Sequence, residues 1–285
     1  MSAYQQITEK IAESIQRGVD GSGFRMPWHN AGSRPVNVAT QRAYRGINTL
    51  SLWSAGQERG FTSSLWGTMR QWNAAGGRVR RGERASMVVF WKDLPRNEAP
   101  QGGEDEADKR FVLKTSHAFN ADQIEGIEKP QTPRIAEPCA AEQLVAAAGI
   151  DVQFGGHRAF YHQVLDYVAM PSPTDFFTVE GFQSTLLHEA AHWTGHSKRL
   201  GREFGKRFGD QAYALEELVA ELSAAFLCAD LGVSNEPRED HAQYVASWLK
   251  VLRSDSRAVF TAAAQATKAT EFLFAFHQAE ERSAA

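Results

Sequence analysis

The stretch Ser184-Thr-Leu-Leu-His188-Glu189-Ala-Ala-His192-Trp-Thr-Gly-His196 constrains this chain more than any other. Leu186, Leu187, Ala190, Ala191 and Trp193 make it a mostly apolar helix, and residues four apart on a helix lie on one face, one above the other. His188 and His192 can therefore offer two imidazoles to a single metal ion, with Glu189 beside them. A buried apolar helix tolerates two histidines and a glutamate only for a reason. The spacing His-Glu-x-x-His is the one in which zinc is held by both histidines and the glutamate acts as base on an activated water. The bland alternative is an ordinary core helix with two satisfied histidines. An acidic helix downstream argues against it.

Such a site needs a third ligand and an open fourth position. Gly195 stands where one branch of these sites turns the chain toward a third histidine, but the ligand position there holds Lys198. His196 lies one further turn along and is a second candidate. The third comes from Tyr213-Ala-Leu-Glu216-Glu217-Leu-Val-Ala-Glu221-Leu, a helix whose apolar stripe is Leu215, Leu218, Leu222, Ala225 and Phe226. Glu217 and Glu221 share a face. The expected division is Glu217 on the ion and Glu221 on the free nitrogen of a ligand histidine, with Glu216 on a solvated face. Zinc is the expected cofactor, one ion per chain. Tyr161, Tyr213 and His196 are candidates to stabilise an oxyanion.

Charge divides the chain. Residues 1–96 hold fourteen Lys or Arg against six Asp or Glu, whereas the rest holds seventeen against twenty-eight. Five of the seven tryptophans (Trp28, Trp53, Trp66, Trp72, Trp91) lie in the basic part. Cations that track a backbone beside aromatics that stack on bases are what single-stranded nucleic acid binding uses. Trp28, Tyr44, Arg45, Asn48, Arg78, Arg80, Arg81 and Lys92 are the residues expected to carry it. The opposing expectation is that at least half of these tryptophans are core. No apolar run reaches eighteen residues, no secretory leader is evident, and Cys139 and Cys228 form no framework; no membrane association and a reducing cytoplasm are expected.

The periodicities predict an α+β chain. Helices are expected over residues 4–18, 49–59, 65–75, 140–148, 180–195, 213–227, 239–253 and 256–281. Strands are expected at 86–91, 111–119, 152–154, 159–161 and 166–170, with a strand and turn over 78–83. Residues 95–109 read as an acidic loop, and 129–138 as a linker between an N-terminal α+β segment (1–128) and a mostly helical one with a small antiparallel sheet (139–285).

Two motif sets resemble a known family. Pro27-Trp28, Asn37, Tyr44-Arg45-Gly46-Ile47-Asn48, Gly76, Val79-Arg80-Arg81-Gly82-Glu83 and Phe119-Asn120-Ala-Asp-Gln123 resemble the N-terminal domain of ArdC-type antirestriction proteins, also found in plasmid primases of the TraC type. His188 to His196, Arg199-Leu200 and Glu217-Leu-Val-Ala-Glu221 resemble the zincin-like metallopeptidase domain joined to it. The resemblance implies a single-stranded-DNA-binding protein, carried by conjugative plasmids, that shields entering DNA from host restriction. It also favours Glu217 as the ligand over Glu221. It supplies no peptidase substrate. Two further readings stay open: a DNA-tethered regulatory peptidase that cleaves a DNA-bound protein, and a DNA-coating protein with a vestigial metal site.

Overall fold

A computed structural model describes residues 2–20, 26–29, 32–93, 111–128, 139–205, 211–235 and 242–284. The expected acidic loop and linker fall outside these residues. The architecture is α+β. Helix α1 (Ala3–Asp20) is followed by β1 (Val36–Asn37), α2 (Ile47–Arg59), β2 (Leu65–Gly67), α3 (Met69–Ala74), β3 (Arg78–Val79), β4 (Ser86–Asp93), β5 (Phe111–Asn120) and β6 (Ile124–Glu125). Then come α4 (Ala140–Ala147), β7 (Val152–Phe154), β8 (Phe160–His162), β9 (Tyr167–Met170), α5 (Val179–Thr194), α6 (Gln211–Leu231), α7 (Ala242–Ser254) and α8 (Ala258–Ala284).

The N-terminal sheet runs β1-β2-β5-β4, with β4 at its edge. The antiparallel pair β4–β5 keeps register from Ser86↔Ala118 to Asp93↔Phe111. Residues 65–75 were expected as one helix and are instead a strand followed by a helix. Leu65–Gly67 pair with Val36–Asn37 on one side and Phe119–Asn120 on the other, and Gly67 allows the close approach of Val38, whose Cγ1 would lie 2.6 Å from a Cβ there. The helix then starts at the Thr68–Gln71 capping box. The second sheet, β7-β9-β8, pairs β7 with β9 in parallel and β8 with β9 antiparallel, leaving β8 as an edge.

Helix α6 is the centre of the molecule. Every residue from Glu216 to Ala229 is buried, so it has no polar face and is enclosed on all sides. The largest core cluster joins Ile7, Ile11, Ile15, Trp28, Leu50 and Trp53 from the N-terminal segment to Leu218, Leu222, Phe226, Trp248 and Val259 from the C-terminal one. Both segments therefore share one core. Fully burying a large apolar side chain is worth roughly 1.5–3 kcal/mol, which makes such a shared cluster a strong bond between them. Helix α5 begins at Thr178, whose hydroxyl accepts from Gly181 N–H at 2.9 Å, and packs beside α6. This pairing of α5 with α6 sets two histidines against three glutamates.

Candidate functional site

His188, His192 and Glu217 bring one ligand atom each to within 4.8 Å of one another, all three residues being buried. His188 Nε2 stands 3.6 Å from Glu217 Oε2, and His192 Nε2 stands 3.8 Å from Glu217 Oε1. These gaps leave room for a single ion among the three donors, and two imidazoles with a carboxylate are a donor set for a divalent metal. Burial works against the charge on Glu217, but its hydrogen bond with His188 and the neighbouring histidines outweigh it and hold the carboxyl at about 2. The carboxylate is thus ready as a ligand. His196 does not join the group: its Nδ1 accepts from Lys198 N–H at 3.2 Å. Lys198 is exposed.

The other nitrogen of each histidine faces a second carboxylate. His192 Nδ1 lies 3.1 Å from Glu216 Oε1, so the proton sits on Nδ1 and the Nε2 lone pair is turned toward Glu217. Glu216 was expected on a solvated face and is instead buried, because α6 has no solvated face to offer. Burial disfavours its charge, yet hydrogen bonds from Arg202 and His192 hold its carboxyl below the usual range. Arg202 grips it through Nε (2.8 Å) and Nη2 (2.9 Å), and also donates to Thr194 Oγ1 (2.8 Å) and Ala191 O (2.7 Å) at the end of α5. Glu221 lies beside His188, with Oε2 3.7 Å from His188 Nδ1. Arg202 and Glu216 were both missed by sequence reasoning.

Gly195 makes this arrangement possible. A Cβ there would stand 2.8 Å from both Arg202 Nη2 and the Phe204 ring, and Arg202 is tied by its hydrogen bonds and cannot give way freely. Gly195→Ala is therefore expected to displace Arg202 from Glu216 and to weaken metal binding by roughly 10-fold, as loss of such an outer partner commonly does. A chelator-competition titration checks it; unchanged affinity removes Arg202 from the account.

The ligand atoms and Glu189 line a cavity of about 840 Å³. Among the residues lining it, Phe160 is 43% exposed and Phe177 fully exposed, beside the polar His157, Arg158 and Asp175. Among the expected oxyanion groups, Tyr161 donates to Asp166 Oδ1 (2.7 Å) and receives from Arg199 (3.0 Å). Arg199 also stacks over Trp193, 3.7 Å from the ring centre, tying β8 and β9 to the end of α5. Tyr213 lines the cavity, bonds to Glu217 and lies 3.2 Å from the Tyr244 hydroxyl, a cavity residue that the sequence did not single out.

The expected DNA-binding residues separate into two groups. Trp28 is 1% exposed and belongs to the core, so it has no face for a base; Trp53, Trp66 and Trp72 are buried too. Asn48 is half-buried, and its side chain clamps the Val89 backbone of β4, donating at 2.7 Å and accepting at 2.8 Å. Tyr44 is half-buried, its hydroxyl accepting from Asn37 at 3.0 Å. Arg45, Arg78, Arg80, Arg81 and Lys92 are exposed, Arg45 pairing with Glu271 and Arg80 with Glu83. Trp91, 53% exposed, and Phe90, 49% exposed, lie next to Lys92 on the edge strand β4. Lys92 is six residues from Ser86, roughly 20 Å along that strand.

Comparison with known proteins covers most of the chain. Residues 1–119 match the family described as the N-terminal domain of anti-restriction factor ArdC, and residues 139–265 match the zincin-like metallopeptidase family. The protein y4eC of Sinorhizobium fredii (strain NBRC 101917 / NGR234) is 42% identical over 290 residues, covering 98% of this chain and 94% of its own length. DNA primase TraC of Escherichia coli is 34% identical over 96% of this chain, but the match spans only 27% of the primase. Crystal structures of the antirestriction ArdC protein from the R388 plasmid, metal-free and Mn(II)-bound, are 36% identical with a TM-score of 0.80, covering 97% of this chain and 98% of theirs.

Proposed function

Because the chain belongs to the ArdC antirestriction family, we propose that it binds single-stranded DNA, carries a zinc-dependent peptidase site and protects entering conjugative DNA from host restriction. The observation that carries the peptidase reading is the convergence of His188, His192 and Glu217 beside Glu189 on an open cavity. His188, His192 and Glu217 would hold the ion, and Glu221 and Glu216 would fix the two rings. A bound divalent ion supplies Lewis acidity toward a substrate carbonyl and toward water.

The protein's own part follows from its side chains. Glu189 takes a proton from the attacking water and returns it to the leaving amine. Tyr213 and Tyr244 lie on the cavity wall, and we assign their hydroxyls as donors to the negative charge that develops on the carbonyl oxygen once substrate displaces the Tyr213–Glu217 and Tyr213–Tyr244 contacts. The edge that β8 forms among the described residues accepts an extended peptide as an added strand. We assign residues 1–128 to DNA and 139–285 to the peptidase, although both rest on a common core. The setting we assign is the reducing cytoplasm of a bacterium; among the described residues no helix is long and apolar enough to cross a membrane.

DNA is read along the edge strand β4, where Lys92 and Trp91 lie at one end and Arg80 and Arg81 precede the other. The full chain is expected to bind single strands in preference to duplex. Its affinity should fall steeply with salt, and each phosphate contact removed should lower the log–log slope by about 0.7. Arg80→Ala with Arg81→Ala should reduce the slope, and Trp91→Ala should weaken binding with the slope kept. Fluorescence anisotropy across a salt series checks both. Equal binding to duplex, or a flat salt response, contradicts the proposal.

A further inference from the structure

The turn at residues 26–29 belongs by sequence to the N-terminal segment, yet it reaches the metal centre. Trp28 Nε1 donates to Glu221 Oε1 at 2.8 Å across 193 positions of sequence. His29 Nδ1 accepts from Met26 N–H at 3.1 Å, which puts its proton on Nε2, and Nε2 donates to the same Glu221 oxygen at 3.1 Å. All three side chains are buried: Trp28 is 1% exposed, His29 3% and Glu221 1%. A carboxylate this deeply enclosed is stable as an anion only when donors surround it. Its second oxygen, Oε2, faces His188 Nδ1 at 3.7 Å. The turn is itself anchored, since Trp28 packs against Trp248 of α7 and its carbonyl accepts from Asn235 at 3.5 Å.

We propose that Trp28 and His29 are positioning residues of the metal centre: they fix Glu221, Glu221 fixes His188, and metal affinity therefore depends on the docked N-terminal turn. The inference rests on the reading of His188 as a ligand. Coupling of this kind is reciprocal. If the turn tightens the site, metal binding must tighten the turn, so the DNA-facing segment and the peptidase site hold one another in place through a single buried carboxylate. The direct consequence is that loss of either indole N–H or imidazole N–H alters a site built otherwise wholly from residues beyond 187.

The test uses the full chain and zinc alone, with affinity read by chelator competition and the fold of the apo form read by thermal melting. Trp28→Phe removes the indole N–H and keeps an aromatic ring; His29→Leu removes the imidazole donor. Each is expected to weaken zinc binding by about 10-fold, and the pair by up to about 100-fold. His29→Gln, which can both accept from Met26 and donate to Glu221, should restore most of the affinity. Trp53→Phe is the control: Trp53 sits in the same core cluster and its N–H goes to Ser33 O at 3.3 Å, far from Glu221 in the bonding scheme. It should lower the melting temperature and leave zinc affinity at the parent value. In the parent, hydrogen exchange over residues 26–29 should slow when zinc is added. Parent-like affinity in Trp28→Phe and His29→Leu overturns this inference while leaving the ligand assignment intact. Equal weakening by Trp53→Phe overturns it too, because the effect would then be general destabilisation. A parent chain that takes up no zinc overturns the metal reading itself and this inference with it.

Discussion

Glu189→Gln is expected to keep metal and fold and to lose peptide hydrolysis by about 10²–10⁴-fold, the usual contribution of a positioned general base. Glutamine has nearly the same shape, so the helix packing around position 189, which is 4% exposed, is preserved. The amide cannot take a proton from water. The same variant separates two biological readings. If it binds single-stranded DNA and still protects DNA from restriction, coating alone is sufficient. If it binds DNA but fails to protect, proteolysis is part of protection. Retained hydrolysis would mean that another group serves as base. The substrate for this assay is a denatured protein mixture, with cleavage scored against the metal-free chain.

The second large effect concerns the three glutamates of α6. Glu217→Ala removes one of three donors and is expected to purify largely without metal, since two imidazoles alone hold a divalent ion poorly. Glu221→Ala and Glu216→Ala each remove the partner of a histidine nitrogen and should weaken metal binding by about 10–100-fold while leaving it detectable. Elemental analysis of the three purified variants gives the order. Glu216→Ala carries an added penalty, because Arg202 would lose its partner in a buried setting. The reversed result, metal absent from Glu221→Ala and present in Glu217→Ala, would exchange the two roles. Full metal in both would move the third ligand elsewhere.

Much of the site was legible because it is local. The His188–Glu189–His192 spacing and the Glu217/Glu221 pair each lie on one helix, and helical periodicity carries them to a common face. Glu216 was misread for the same reason. One position from Glu217 it points about a quarter-turn away, which on an ordinary helix means solvent. The available signal was α6 itself, whose apolar residues surround the helix and leave no polar side. Arg202 had no such signal, since its role depends on the chain turning back after Gly195. Trp28 was read as a base-stacking residue because its one hydrogen-bond acceptor, Glu221, is 193 positions away. Asn48 likewise serves a strand edge forty-one positions on. At β2 the capping box Thr68-x-x-Gln71 was in view and would have started the helix at Met69.

The most direct test of the account is anomalous X-ray scattering from crystals of the full chain loaded with zinc or with Mn(II). The account predicts one metal peak per chain, bounded by His188 Nε2, His192 Nε2 and the Glu217 carboxylate and open toward the cavity that Glu189 lines. A peak held by other residues, or none between α5 and α6, would contradict it.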